Sequence, residues 1–172
     1  MKFILSLIVI LMSSSILAAS SHVGMIVKKQ GKVELLTNPS KKADGPGYVL
    51  FEGTYYKQAK IRLGAKLTNG SILRTGKGAK VKIVYKNGDQ MNVGEGTAYQ
   101  VSWTNKNTKG KSDPGAINLM YGSIRGVINK KGPRSGVKIK TKSAVMGIRG
   151  TDFHIGQQGT SGKSSVSVLR GK

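Results

Sequence analysis

The sequence predicts an all-β protein, a single antiparallel domain of β-sandwich or jelly-roll type, with a β-helix-like stack as the alternative packing. Apolar and polar residues alternate with a period of two in AKVKIVYK (79–86), GVKIKTK (136–142) and SSVSVLR (164–170). Turn-forming dipeptides separate such segments at short intervals, as is typical of sandwiches and barrels. The 24 glycines also interrupt any long helical pattern.

The first 19 residues have the organisation of a secretory signal peptide. Lys2 precedes the apolar run 3–12, and small residues around Ala19 suit a signal peptidase. Cleavage there leaves residues 20–172 as one domain, long enough to bury a core without cross-links. We therefore expect an exported, periplasmic protein. The alternatives are an extracellular protein, or one anchored to the membrane by an uncleaved N-terminus.

The amino-acid composition excludes cysteine chemistry and gives the chain a large positive charge. The chain has no cysteine, which excludes disulfides, thiol catalysis, cysteine-ligated zinc and cysteine-linked lipid anchors. It has 29 lysines and arginines against seven acidic residues, and loss of Lys2 with the signal leaves 28 against seven, or +21. A field of this sign attracts polyanions but does not specify a fold.

Two Asn-Gly dipeptides predict tight turns. Asn69-Gly70 and Asn87-Gly88 favour type I′ hairpins, and YKNGDQMNV (85–93) reads as one such hairpin with Met91 and Val93 pointing inward. Polar segments rich in turn formers predict three surface loops, at 37–47, 104–115 and 129–136.

Two blocks of the sequence carry a family resemblance: GAKLTNGSILRTGKGAKVKIVYK (64–86) and TKSAVMGIRGTDF (141–153). With the segments around them, which extend over most of 23–172, they resemble the FecR domain, an all-β module of bacterial envelope proteins. The resemblance implies a structural signature made of Gly70, Thr75, Gly76, Gly88, Gly122, Thr141, Gly147, Arg149, Gly150, Thr151 and Phe153.

The resemblance also implies a possible role in signalling. The best-known relatives resemble anti-sigma factors, in which a periplasmic FecR domain senses an outer-membrane iron transporter. Since the apolar run begins at residue 3 and the sequence shows no second apolar span, we do not expect a cytoplasmic segment of the kind that these relatives have. We therefore expect this chain to share only the FecR domain with those relatives. A regulatory role would then require a partner chain.

The segment SAVMGIRGTDFHIG (143–156) raises the question of catalysis. Along a strand, Asp152 and His154 share one face while Phe153 points to the other, so Thr151 does not face its supposed base. We therefore expect a surface Asp and His beside a core Phe.

The glycines of this segment favour an architectural role. Gly147 and Gly150 predict a bulge, a corner or a close backbone approach. The bend would admit one set of apolar residues to the core: Ala144, Val145, Ile148, Phe153 and Ile155. Arg149 would cap a strand end or pair with an acid such as Glu95 or Asp89.

Other patterns give no catalytic, cofactor or metal site. No metal-ligand spacing occurs, and nothing selects a catalytic pair from Glu34, Glu52, Glu95 and Asp152. GKGAK (76–80) lacks the Gly-Lys-Ser/Thr ending of a phosphate loop, so we interpret it as a turn. We expect a protein that is not an enzyme. The alternative is an enzyme that hydrolyses its substrate at an unrecognised pair of acidic residues. Changing Glu95 or Asp152 would then abolish the activity.

The lysines predict a binding surface. The candidate residues are Lys80 and Lys82 on one strand, Lys138, Lys140 and Lys142 on another, and Lys130, Lys131 and Arg134 in a loop. Such a face suits phosphates or carboxylates, although an ordinary solvated face gives the same pattern. Nucleic acid is the weaker candidate because few aromatic side chains are available for bases to stack on. The candidates for such stacking are Tyr55, Tyr56 and Trp103.

Two functional hypotheses result. The first is a binding or scaffold module of the envelope that holds an anionic polymer or an envelope protein. The second is a signalling component that acts through a partner chain.

Overall fold

The computed structural model describes residues 22–102, 116–128, 137–148 and 151–170. These residues form fourteen β-strands and no helix. The strands are β1 (His22–Gln30), β2 (Val33–Ser40), β3 (Tyr48–Phe51), β4 (Thr54–Lys60), β5 (Lys66–Thr68), β6 (Ile72–Thr75), β7 (Lys80–Tyr85), β8 (Gln90–Val93), β9 (Ala98–Ser102), β10 (Ala116–Val127), β11 (Val137–Lys140), β12 (Val145–Ile148), β13 (Asp152–Gln157) and β14 (Ser164–Arg170). In the described part of the chain, no helix is long and apolar enough to cross a membrane. The predicted signal, residues 1–19, lies outside it.

The strands form two sheets that share β10. Sheet A has the order β14-β13-β10-β8-β7-β1-β5, and sheet B has the order β3-β4-β2-β6-β9-β10-β11-β12. The first half of β10 pairs with β9 and β11 of sheet B, and the second half pairs with β8 and β13 of sheet A. Among the described strands, only the β10–β11 pair is parallel. The all-β, antiparallel prediction is therefore confirmed.

Gly122 lies where β10 passes from one sheet to the other. Its φ of 91° is in the left-handed region, and a Cβ at this position would collide with Thr97. Only glycine combines this backbone conformation with so close a neighbour. The signature glycine thus makes it possible for one strand to serve both sheets.

The core lies between the two sheets. Alternate residues of β7 and β8 are buried on the inner side of sheet A, and they form one cluster with inner residues of sheet B such as Leu73 and Tyr99. The hydroxyl groups of Tyr85 and Tyr99 meet 3.3 Å apart inside this cluster. Burial raises the pKa of Tyr85 to about 12 and that of Tyr99 well above its usual value. Two packed faces of mainly antiparallel strands favour the sandwich over the stack.

A second, smaller cluster covers the outer face of sheet B. Leu36, Tyr56 and Ile72 are buried there, with partly buried apolar neighbours that include Phe51. The guanidinium of Arg74, on β6, lies 5.0 Å from the centre of the Phe51 ring, on β3. Because β4 and β2 separate these strands in the sheet, the β3–β4 hairpin curls back over the outer face.

The hairpin at 85–93 is confirmed, although its turn is not of type I′. β7 pairs with β8, and Met91 and Val93 are buried. Only Gly88 of the Asn-Gly pair has a positive φ, 84°. The Gly88 N–H donates to the Tyr85 carbonyl and the Tyr85 N–H donates to the Asp89 carbonyl, both at 2.9 Å. This is a three-residue loop with a glycine bulge.

The prediction of a hairpin at Asn69-Gly70 is wrong. This turn connects β5 of sheet A to β6 of sheet B, and these two strands do not pair with each other. Gly70 alone has a positive φ, 79°, and the Ser71 N–H donates to the Thr68 carbonyl at 3.2 Å. A tight turn was predicted correctly, but it carries the chain between sheets.

The three predicted loops have different outcomes. In the first, 37–47, the residues up to Ser40 belong to β2, so only the exposed part from 41 to 47 is a loop. The loops 104–115 and 129–136 lie outside the described residues.

Candidate functional site

A row of cationic side chains crosses the outer face of sheet A. The strands pair in a register that places Lys28 beside Lys82, Lys82 beside Asn92, Asn92 beside Arg125, and Arg125 beside His154. We call Lys28, Lys82 and Arg125 the cationic row, and His154 lies next to its Arg125 end. Since neighbouring strands lie about 4.8 Å apart, the backbones at Lys82 and Arg125 are about 10 Å apart.

A β-bulge places Lys28 in this row. The register of β1 against β7 shifts between Ile26 and Lys28, so Val27 is an extra residue without a partner on β7. Ile26 is buried, and strict alternation from it would turn Lys28 toward the core as well. The bulge reverses this orientation and leaves Lys28 exposed opposite Lys82.

The cationic row lines an open groove of about 420 Å³. Lys80 and Ser123 line the same groove two residues before Lys82 and Arg125 on their strands, and Lys80 pairs with Gln30 of β1. We call this space the cationic groove. Its lysines project from paired strands inside the sheet, so their backbones are fixed before any ligand arrives.

One carboxylate lies diagonally opposite Arg125, since Asp152 pairs with Val127. Nε and Nη2 of Arg125 donate to the two carboxylate oxygens of Asp152 at 3.0 and 2.7 Å. This hydrogen-bonded pair holds the pKa of Asp152 below its usual value and raises the pKa of Arg125. The charge of Arg125 is therefore largely compensated.

The other described acidic residues lie elsewhere. Glu34 binds Lys32 and Arg74 on sheet B, and Glu95 accepts a hydrogen bond from the backbone N–H of Gly78. Asp89 is buried in the β7–β8 turn, and Asp44 and Glu52 are exposed near β3. Within the described ranges, no salt bridge involves the groove lysines Lys28, Lys80 and Lys82. The face therefore carries uncompensated positive charge.

The Asp152–His154 pair has no nucleophile-and-base geometry. Both residues lie on the outer face of sheet A, as predicted, and Phe153 between them is fully buried. The Asp152 carboxylate binds Arg125 rather than orienting the imidazole of His154. Across the described part of the chain, no three potential metal ligands come together.

The structure separates the predicted lysines. Lys80 and Lys82 line the cationic groove on sheet A, whereas Lys138 and Lys140 are exposed on β11 of sheet B. Lys142 is exposed and donates to the carbonyl of Gly159 at 3.4 Å. Lys130, Lys131 and Arg134 lie outside the described residues. The predicted lysines therefore do not form one continuous face in the described part of the chain.

The aromatic residues held in reserve for stacking do not extend the groove. Tyr56 is buried in the outer cluster of sheet B, and Tyr55 is only partly exposed on the same strand. Trp103 lies outside the described residues.

The family-signature residues near the groove have structural roles. The Thr75 hydroxyl donates to the Gly94 carbonyl at 2.6 Å, and it accepts from the N–H of Thr97 at 2.9 Å. The Thr97 hydroxyl in turn accepts from the N–H of Ser123 at 3.0 Å. These buried bonds tie β6 and β9 of sheet B to the end of the groove on sheet A. The Phe153 ring packs directly against Gly126, where a Cβ would collide with it.

Two expectations about 143–156 are wrong. Gly147 lies in a regular antiparallel pairing with Lys138, without a positive φ and with no atom within 4 Å of a built Cβ. Val145 is 65% exposed because it lies opposite the exposed Lys140, on the outer side of β12, whereas Ile148 is buried as predicted. Gly147 therefore marks no bulge or close approach, whereas Ile148, Phe153 and Ile155 do enter one core as expected. Arg149 and Gly150 lie outside the described residues.

Sequence reasoning missed two residues of the groove, Lys28 and Arg125. Alternation alone gave no sign of the bulge that exposes Lys28. Arg125 had a usable signal, since it stands between Ile124 and Gly126, both buried on the opposite side of the strand.

Comparison with known proteins identifies the family. A sequence model described as FecR protein matches residues 71–172, from the turn before β6 through β14. Searches of curated proteins and of solved structures give no significant match. FecR proteins are associated with the bacterial envelope, and the family suggests a role in envelope signalling or regulation. The matched residues include the signature positions that build the shared strand β10 and its neighbours, and the chain belongs to the FecR family.

Proposed function

We propose that this chain is a non-catalytic binding module, exported to the periplasm, that holds anionic envelope material such as a polymer through the cationic groove. The observation that carries this proposal is the set of three groove lysines, Lys28, Lys80 and Lys82, without a carboxylate partner in the described structure. The Arg125–Asp152 pair borders this set.

The physical basis is electrostatic. A polyanion that contacts several lysines releases its bound counterions, so its affinity falls steeply as the salt concentration rises. The long-range field of a chain with a net charge of +22 brings anionic ligands to the surface. The paired strands hold the lysine backbones in place, which lowers the entropy lost on binding.

Retention of the purified exported protein on a polyphosphate resin over a salt series tests this proposal. The variant changes Lys28, Lys80 and Lys82 to Glu. The matched control makes the same charge change at Lys138, Lys140 and Lys142, which lie on and next to β11 of sheet B. The groove variant should lose retention and most of its salt dependence, while the control keeps both. Equal losses in the two variants would mean that net charge, rather than the groove, holds the polyanion.

The alternative is a signalling component that acts through a partner chain. Family membership favours it, and so does the edge strand β14, which pairs only with β13. Val166, Val168 and Leu169 on this strand are 48%, 59% and 54% exposed. A protein contact through this strand should be insensitive to salt. Retention on an envelope fraction that persists at high salt and is lost after Val168→Asp would favour the alternative.

A further inference from the structure

An apolar row lies beside the cationic row on the outer face of sheet A. Met25 pairs with Val84, Val84 with Gln90, and Gln90 with Val127. The row ends at Lys66, opposite Met25, and at Asp152, opposite Val127. We call Met25, Val84 and Val127 the apolar row. Met25 is 42% exposed and Val127 is 40% exposed. Single exposed apolar residues are normal on a protein surface, but these are aligned across neighbouring strands.

The two rows run side by side. Val84 follows Lys82 by two residues on β7, and Val127 follows Arg125 by two residues on β10. Residues two apart on a strand share a face and are separated by about 6.6 Å. The bulge on β1 also exposes Val27, at 41%, next to Lys28. The face therefore has a charged band and an adjacent apolar band, both perpendicular to the strands.

We propose that the outer face of sheet A binds an anionic lipid surface, with phosphate head groups on the cationic row and groove and with the apolar row at the boundary of the acyl chains. This inference rests on the proposed binding of anionic envelope material and names its chemical class. A charged band next to an apolar band is the pattern of surfaces that lie in a membrane interface.

The apolar row distinguishes a lipid from a purely polar polymer. A polyphosphate or an acidic polysaccharide gains nothing from methionine and valine side chains, since it has no acyl chain to bury against them. Charge complementarity supports the assignment, because no described salt bridge joins a carboxylate to Lys28, Lys80 or Lys82. Lysines near an anionic membrane each strengthen binding by about fivefold.

Sedimentation with lipid vesicles tests the inference. The probes are vesicles of equal parts phosphatidylglycerol and phosphatidylcholine, vesicles of phosphatidylcholine alone, and the polyphosphate resin. The test variant is Met25→Ser with Val127→Ser. The matched control is Val166→Ser with Val168→Ser, which removes two exposed valines from the edge strand β14. Thermal unfolding midpoints establish that each variant folds.

The wild-type protein should bind the anionic vesicles and not the neutral ones. The test variant should bind them about tenfold more weakly, keep its retention on polyphosphate, and differ from a nearly unaffected control. Wild-type-like vesicle binding by the test variant, equal losses in both variants, or wild-type binding to polyphosphate alone would each overturn the inference and leave the proposed function standing. Polyphosphate retention that survives Lys28, Lys80 and Lys82→Glu would instead remove the proposed function.

Discussion

The two outer faces of this molecule both carry basic residues, but in different surroundings. On sheet B, Arg74 contacts Glu34 at 3.8 Å and lies over the Phe51 ring, and Glu34 also binds Lys32 at 3.1 Å. The β3–β4 hairpin covers the middle of that face. On sheet A, the groove lysines have no such partners in the described structure, and no strand covers them.

This difference separates folding from binding. A face whose cations are paired and whose apolar residues are covered contributes to the stability of the domain. A face with uncompensated lysines contributes little to the stability of the fold, because like charges at neighbouring positions repel each other. The outer face of sheet B therefore contributes to the stability of the fold, whereas the outer face of sheet A is the surface that we propose for binding.

The largest expected effect concerns the strand that joins the two sheets. Gly122→Val should destabilise the protein by about 3 kcal/mol or more, because it combines left-handed backbone strain with a collision against Thr97. Urea unfolding measures it. Gly147→Ala, at an open position, should stay within about 0.5 kcal/mol of the wild type. Equal midpoints for both variants would contradict the role assigned to Gly122.

The next effect compares the two outer faces directly. Ile72→Ala, in the covered cluster of sheet B, should cost about 2–5 kcal/mol because it leaves a cavity. Val127→Ala, on the exposed face of sheet A, should cost about 0.5 kcal/mol or less. Urea unfolding of the pair checks this prediction. Similar losses would show that the outer face of sheet A is also part of the core.

Local sequence patterns predicted the individual strands and turns better than they predicted which strands pair with each other. Period-two alternation identified the inward Met91 and Val93 and the outward Lys80 and Lys82, because burial imposes that period on any strand of a two-layer protein. The turn at Asn69-Gly70 was also visible. The sequence did not show that this turn leads into a different sheet, because a dipeptide specifies local φ and ψ but not the pairing of the strands that follow.

The groove depends on information that alternation does not contain. Lys28 and Lys82 are 54 positions apart in the sequence, and only the sheet order places them side by side. A single extra residue, Val27, decides which way Lys28 points. Val145 was expected in the core because its strand is apolar, but it lies opposite the exposed Lys140 on the outer side of β12, and Met146 and Ile148 are the residues that face the core.

A smaller effect concerns the tyrosine pair between the sheets. The pKa of Tyr85 is raised by burial to about 12 from about 10 in the unfolded chain. Its contribution to stability is therefore complete below about pH 10 and is lost as the pH rises toward 12. Tyr85→Phe should cost about 1 kcal/mol at pH 7 and make the decline in stability above pH 10 shallower.

Urea unfolding from pH 7 to pH 12 measures this dependence. The two proteins share every other ionisable group, so the difference between the wild type and Tyr85→Phe reports on the tyrosine pair. Parallel pH curves would mean that Tyr85 is solvated or ionises without unfolding.

The smallest effect on stability gives the sharpest test of the two faces. Asp152→Asn removes the carboxylate that binds Arg125 and leaves the Arg125 guanidinium without this salt bridge. The variant should bind polyphosphate more tightly, with a salt slope steeper by about one unit. At neutral pH its stability should change little, since the pair is exposed. Because the folded-state pKa of Asp152 is lowered, any stabilisation is present above the unfolded pKa and is lost as the pH falls through the folded value.

Glu34→Gln is the matched control for this last prediction. It changes the net charge by the same amount, but it acts on sheet B, where the Glu34 carboxylate binds Lys32 and Arg74. If the cationic groove holds the anion, Asp152→Asn strengthens polyphosphate retention and Glu34→Gln leaves it almost unchanged. If both strengthen it equally, the overall charge of the chain governs binding, and the contrast between the two faces concerns folding alone.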